Sequence, residues 1–196
     1  AGYTPGHEVG ISLDIAATDL YRDGRYHLGL EQRAFTTPEF SALMISWLDR
    51  FPIVSIEDGL AEDDWDGWRQ LRAAIGHRCQ LVGDDLFTTN LARIERGITL
   101  QAANAVLIKL NQIGTVTETL AAIARTQAAG WHPIVSARSG ETEDTFIAHL
   151  AVATNAGQLK VGSFCRSERM AKWNEVLRIQ HHLGARARFA GATLRR

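Results

Sequence analysis

Six short runs rich in Val, Ile and Leu recur along this chain, at 10–16, 52–58, 80–85, 105–110, 133–137 and 158–163. They are close to continuously apolar rather than strictly alternating, the pattern of parallel strands covered on both faces. Parallel strands cannot be joined by tight turns and need crossover connections. The intervening segments have helical spacing and recognisable ends. Thr37-Pro38-Glu39 opens one helix, with Thr37 as cap and Phe40, Leu43, Met44, Trp47 and Leu48 on one face. Asp63/Asp64 opens the next, which runs through Trp68, Leu71 and Ile75 to Gly76. Thr115 and Glu118 have capping-box spacing, with Gly130 at the exit, and SERMAKWNEVLRIQHHL ends before Gly184. One stretch breaks the alternation: in LYRDGRYHLGL, Asp23-Gly24 between two short runs predicts a β-hairpin.

Six βα-type units predict a parallel α/β architecture, either an open doubly wound sheet or a barrel. No GxGxxG follows the first strand and no GxxxxGK[ST] occurs, which weakens nucleotide-fold readings. Six units are too few for a closed eight-stranded barrel, so the choice is a barrel lacking its beginning or an open sheet. At 196 residues the chain suits one domain, or one large domain with a tail. The tail is basic, with Arg186, Arg188, Arg195 and Arg196, and is expected to be solvated and frayed. Lys+Arg 21 against Asp+Glu 22 gives no reason to expect nucleic acid as a partner. No apolar run approaches 18 residues, which argues against a membrane reading. Cys79 and Cys165 form neither a disulfide framework nor a zinc pattern, consistent with a reducing cytoplasm. The sequence opens AGYTPGHEVG, without Met.

Polar residues fall at the ends of the apolar runs. Asp14, Glu57, Asp84, Lys109 and Lys160 end five of them, and the other delivers Ser136, Ala137, Arg138 and Ser139. In parallel α/β folds the strand C-termini share one rim, so these groups can converge. Three carboxylates without His or Cys suit a hard, oxygen-liking cation such as Mg²⁺. Two lysines and an arginine suit an anionic substrate, and a lysine crowded by cations and partly desolvated can act as a base. Structural roles compete with each assignment. Asp58, Asp84 and Asp85 could cap the helices that follow, Lys160 could lie solvated on an edge strand, and Arg138 could serve in an ion pair. Glu141, Glu143 and Asp144 read as the acidic first turn of the next helix. Lys109 within AVLIKL is hardest to explain structurally, since a charge in a buried strand costs several kcal/mol without a partner.

The stretches SLDIAATDLY, PIVSIEDGLAEDDWDGW, QLVGDDLFTTN, LIKLNQIGTVTETL, SGETEDTFIAHLAVAT and GQLKVGSFCRSERMAKWNEVLRI closely resemble enolase. The resemblance covers 1–184 and leaves 185–196 as a basic tail. It implies a TIM-type (β/α) barrel, here without its first strands and the N-terminal domain that would precede Ala1. It also implies the Mg²⁺-dependent, reversible dehydration of 2-phosphoglycerate to phosphoenolpyruvate in glycolysis, in the cytoplasm. By position, Asp14, Glu57 and Asp84 would hold Mg²⁺, with Glu57 and Asp84 also facing substrate. Lys109 would be the base, Lys160 would hold the substrate carboxylate, and Arg138 and Ser139 would grip the phosphate. Full-length members are expected to be homo-oligomers. Two departures stand out: Ala137 replaces the His of the family's SHRSGE motif, and the Glu that would protonate the departing hydroxyl has no counterpart here. The resemblance therefore leaves two alternatives. One is a diverged relative acting on another phosphorylated or phosphonylated carboxylate, and the other is a truncated, non-catalytic binding or interaction module.

Overall fold

The computed structural model describes residues 1–193. The chain divides into two compact units, Ala1–Phe87 with Ala92–Ala105, and Thr88–Leu91 with Val106–Arg196. The parallel α/β class expected from the apolar runs is borne out, since both units are built from strands and helices in alternation.

The first unit begins with β1 (Ile11–Asp14), then the hairpin β2 (Tyr21–Arg22) and β3 (Arg25–Leu28), and β4 (Arg33–Phe35). It continues with α1 (Thr37–Arg50), β5 (Ile53–Glu57), α2 (Trp65–Ile75), β6 (Gln80–Gly83) and, from its second residue on, α3 (Leu91–Leu100). Asp23 and Gly24 both have positive φ, 51° and 75°, as the predicted two-residue hairpin turn demands. The short strand β4 completes a three-stranded antiparallel sheet, in which Tyr26 lies opposite both Tyr21 and Phe35. Tyr26 is fully buried and stacks on Phe40 of α1, ring centroids 4.6 Å apart.

The α1 cap lies one residue earlier than predicted, at Thr36. Its N–H donates to Glu39 at 2.7 Å, closing a capping box in which Pro38 fits within the first turn. The sequence reading fixed on the Thr-Pro pair, whereas the Thr-x-x-Glu spacing decides the cap. The caps of α2 and of the helix Val116–Ala128 are as predicted. Asp64 accepts from Gly67 N–H at 3.1 Å, and Thr115 Oγ1 accepts from Glu118 N–H at 3.2 Å. In α2, Trp68, Leu71 and Ile75 are buried, as their spacing required. β5 lies between β1 and β6, parallel to both. Phe87 is buried against two glycines: a Cβ at Gly97 or at Gly83 would collide with its ring.

The second unit takes in β7 (Ala105–Ile108) from Val106 on, α4 (Leu110–Ile113), α5 (Val116–Ala128) and β8 (His132–Ser136). It ends with α6 (Phe146–Ala153), β9 (Leu159–Lys160) and α7 (Ser167–Leu183), the last coinciding with the predicted helix. All four residues of β7 are buried, which accounts for its uninterrupted apolar run. β8 lies between β7 and β9, parallel to β9. The sixth apolar run forms only two strand residues. Gly162 turns the chain at φ 91°, with so little room at its Cα that a Cβ would collide with Arg169. Arg186 and Arg188 are exposed, with Arg186 in a 3-10 turn, Gly184–Arg186; Arg195 and Arg196 lie outside the described residues.

Candidate active site

The three predicted metal-binding carboxylates all fall in the first unit, and Lys109, Arg138, Ser139 and Lys160 all fall in the second. Asp14 and Glu57 are direct register partners at the C-terminal ends of β1 and β5. Glu57 in turn faces Val82 of β6, and Asp84 follows Val82 by two residues, the spacing of one side of a strand. Pairing register therefore carries all three carboxylates to neighbouring strand ends. Glu57 is 4% exposed, Asp84 is half-buried and Asp14 is open to solvent. An all-oxygen donor set of this kind, without nitrogen or sulfur, fits a hard divalent cation and disfavours zinc.

Among the described residues, the carboxylates close enough to share one ion are a different trio that includes Asp84. One oxygen each of Asp58, Asp84 and Asp85 lies within 4.8 Å of the others. Asp58 differs from its neighbours in what its oxygens already do. Oδ1 accepts the Asp84 N–H at 2.9 Å and Oδ2 accepts the Asp85 N–H at 3.0 Å. Asp58 therefore caps no helix; it binds the backbone of the loop after β6. Burial pushes its pKa up to about 7, and the charges of Asp84 and Asp85 push the same way, against the opposing pull of the two N–H groups. The sequence reading placed Asp58 only as a possible helix cap. The available signal was a second acid directly after Glu57 at the end of a buried strand.

In the second unit, Lys109 follows β7 and precedes α4, half-buried. Its N–H donates to Thr89 Oγ1 at 2.9 Å, and that hydroxyl lies 3.4 Å from Leu107 O and 3.3 Å from Gln112 Oε1. Thr89 is itself buried and sits at φ 56°, so a constrained residue pins the backbone that carries the lysine. Ser136 and Lys160 are register partners, and Ala137 N–H donates to Lys160 O at 2.9 Å. The structure thus brings the start of the Ser-Ala-Arg-Ser loop beside Lys160. Arg138, Ser139 and Lys160 are exposed and Ala137 is half-buried.

Glu141 does not form an acidic first turn. α6 starts at Phe146, and its first turn carries no acid. Glu141 instead folds back, and its Oε1 accepts the Arg138 N–H at 2.9 Å and an Asn111 amide N–H at 3.3 Å. The other oxygen, Oε2, pairs with Lys172 Nζ at 3.1 Å. Lys172 is fully buried on α7 and also donates to Thr142 O. Glu141 is thus turned toward Lys172, while Asp144 keeps a place at the start of α6, its Oδ1 accepting the Phe146 N–H at 2.8 Å. Lys172 was missed in the sequence; a lone lysine within the turn Met170-Ala-Lys-Trp173 carries no distinguishing signal.

The whole chain, residues 1–196, matches the family described as the enolase C-terminal TIM barrel domain. It is 57% identical over 191 residues to Enolase 1 of Desulfitobacterium hafniense (strain Y51). That alignment takes in 96% of this chain and 44% of the relative, so the chain spans less than half the length of the curated protein it matches.

Proposed function

The chain belongs to the enolase family, within its C-terminal barrel domain, and on that premise we propose that it carries metal, base and anion-binding groups for dehydrating 2-phosphoglycerate. The observation that carries the reading is the register of β1, β5 and β6, which brings Asp14, Glu57 and Asp84 to adjacent strand ends in an all-oxygen set. These three residues would hold Mg²⁺. When bound, the ion supplies positive charge against the extra negative charge that the substrate carboxylate gains as its neighbouring proton leaves.

The remaining chemistry belongs to the chain. Lys109 removes the proton from the carbon beside the carboxylate, and its amine keeps that proton as ammonium. Lys160 attracts the same carboxylate, more strongly once it is doubly charged, so its contribution grows along the reaction path. Arg138 and Ser139 bind the phosphate, the guanidinium through paired N–H donors. The held backbones of Lys109 and Arg138 keep these groups in place before substrate arrives. Loss of the β-hydroxyl as water completes the formation of phosphoenolpyruvate and requires an acid that no residue here is assigned.

The test follows 2-phosphoglycerate in D₂O by NMR with Mg²⁺, using the wild-type chain and Lys109→Ala. Exchange of the proton beside the carboxylate, lost in Lys109→Ala, is the expected result, and phosphoenolpyruvate signals would mean a complete site. Folded wild type giving neither signal would defeat the catalytic reading and favour a binding module. Ala137 motivates a second reading. A methyl group at the end of β8 neither donates nor accepts a hydrogen bond, and it leaves room for a bulkier phosphorylated or phosphonylated carboxylate. Faster exchange with such an analogue than with 2-phosphoglycerate would decide for it.

A further inference from the structure

We propose that Asp58 is a positioning residue that fixes the three carboxylates Asp14, Glu57 and Asp84 relative to one another, without itself being a ligand. The proposal rests on the reading of those three as a cation site. Its physical basis is the number of strand ends that meet at this one residue.

Asp58 is 3% exposed and follows Glu57 at the end of β5. Its φ is 42°, a left-handed conformation that residues other than glycine rarely adopt. That turn lets both its backbone and its side chain face neighbouring strands. Its N–H donates to Val82 O at 3.0 Å, joining it to β6 just before Asp84. Its carbonyl accepts the Ala17 N–H at 3.0 Å, while Glu57 O accepts the Ile15 N–H at 3.0 Å, joining β5 to the chain leaving Asp14. Its carboxylate then accepts the N–H groups of Asp84 and Asp85, one on each oxygen. One buried residue thus bonds to the segment after Asp14, adjoins Glu57 covalently, and holds the backbone of Asp84.

The two N–H bonds also give each oxygen of this buried carboxyl a partner. Charge-assisted bonds to backbone donors offset part of its burial. They are the bonds a neutral amide cannot reproduce. In Asp58→Asn one of the two backbone donors would face an NH₂ group, and the Asp84–Asp85 loop would lose one anchor. Residues that orient metal ligands in this way typically change affinity about 10- to 100-fold when replaced.

The test uses Mn²⁺ as the probe, with free ion read by electron paramagnetic resonance, on wild type, Asp58→Asn and Glu57→Gln. Wild type is expected to bind Mn²⁺, Glu57→Gln to lose it, and folded Asp58→Asn to bind about 10-fold more weakly or worse. An Asp58→Asn chain that is less heat-stable but binds Mn²⁺ as tightly as wild type has lost only a structural contact, and overturns the proposal. Amide hydrogen exchange of wild type provides a check that needs no variant. The Asp84 and Asp85 amides are expected to be protected, and exchange as fast as in an open loop would also overturn it. Wild type without Mn²⁺ affinity, or Glu57→Gln with undiminished affinity, would remove the cation-site reading itself, a failure visible without Asp58→Asn.

Discussion

Tyr26 shows how much a single phenol can organise. Its hydroxyl donates to Asp64 Oδ2 at 3.0 Å and accepts the Ala61 N–H at 3.0 Å, inside the first unit. Burial, foremost, raises its pKa far above the ordinary phenol value, so it stays a neutral donor. Tyr26→Phe keeps the ring stacked on Phe40 but leaves a buried N–H without its acceptor. It should lower unfolding free energy by about 1–3 kcal/mol in urea titrations. A loss of a few tenths would mean that water replaces the hydroxyl. The two cysteines should separate just as clearly. Burial pushes the Cys79 thiol up to about 12, whereas Cys165 is exposed. A disulfide-exchange reagent at pH 8 should modify one thiol in the native chain and two in denaturant; two rapid native reactions would contradict the burial. At this scale the sequence supplied candidates, not roles. Asp14, Glu57 and Asp84 could be picked out because each ends an apolar run. The work of Asp58 and Glu141 could not, because it depends on bonds to residues 26 positions away and to a helix 31 positions away.

The elements themselves were legible where one local signal dominated. β7 reads as a strand because all its residues are apolar, and the Asp23-Gly24 hairpin because two successive positive φ angles select that dipeptide. β4 escaped notice because three residues, Arg33–Phe35, carry no period and gain their pairing only from β3. α6 starts later than its acidic cluster suggests, because tertiary pairing with Lys172 draws Glu141 away and leaves only Asp144 to accept the Phe146 N–H. At the N-terminus of α1, the hydrogen bonds from Thr36 hold the Glu39 carboxyl below its usual range. A depressed folded-state pKa gives stability that is full above the unfolded-state value and is lost as pH falls through the folded one. The difference in melting temperature between wild type and Glu39→Gln should therefore be present at pH 7 and shrink in acid. A difference that grows in acid would refute the sign. Between β6 and α3, the Phe87 ring occupies the space over Gly83 and Gly97. Gly97→Ala improves helix propensity by about 1 kcal/mol but forces that ring aside, and overpacking costs typically 1–3 kcal/mol. Net destabilisation is expected in thermal melts, and Phe87→Leu should partly relieve it. A more stable Gly97→Ala chain would mean that the ring moves freely.

For the molecule as a whole, ligand linkage offers the broadest readout. If the carboxylates of the first unit hold Mg²⁺, the ion at 100 times its Kd should add about 2.7 kcal/mol to stability and raise the melting temperature. Glu57→Gln should abolish the rise; an equal rise in both chains would assign it to unspecific ion effects. Among the described residues no helix is long and apolar enough to cross a membrane. The cationic side of the chain is uneven in a way that the buried pair on α7 brings out. The sequence contains only three lysines, Lys109, Lys160 and Lys172, against eighteen arginines. One lies under Glu141 with no solvent exposure, and the other two stand at strand ends. Guanidinium groups carry nearly all the surface positive charge, and they resist acylation where a free amine does not. Lysine acetylation, or an amine-reactive label, would thus have almost no decorative surface to act on: each side chain it reached would be one the proposed chemistry uses.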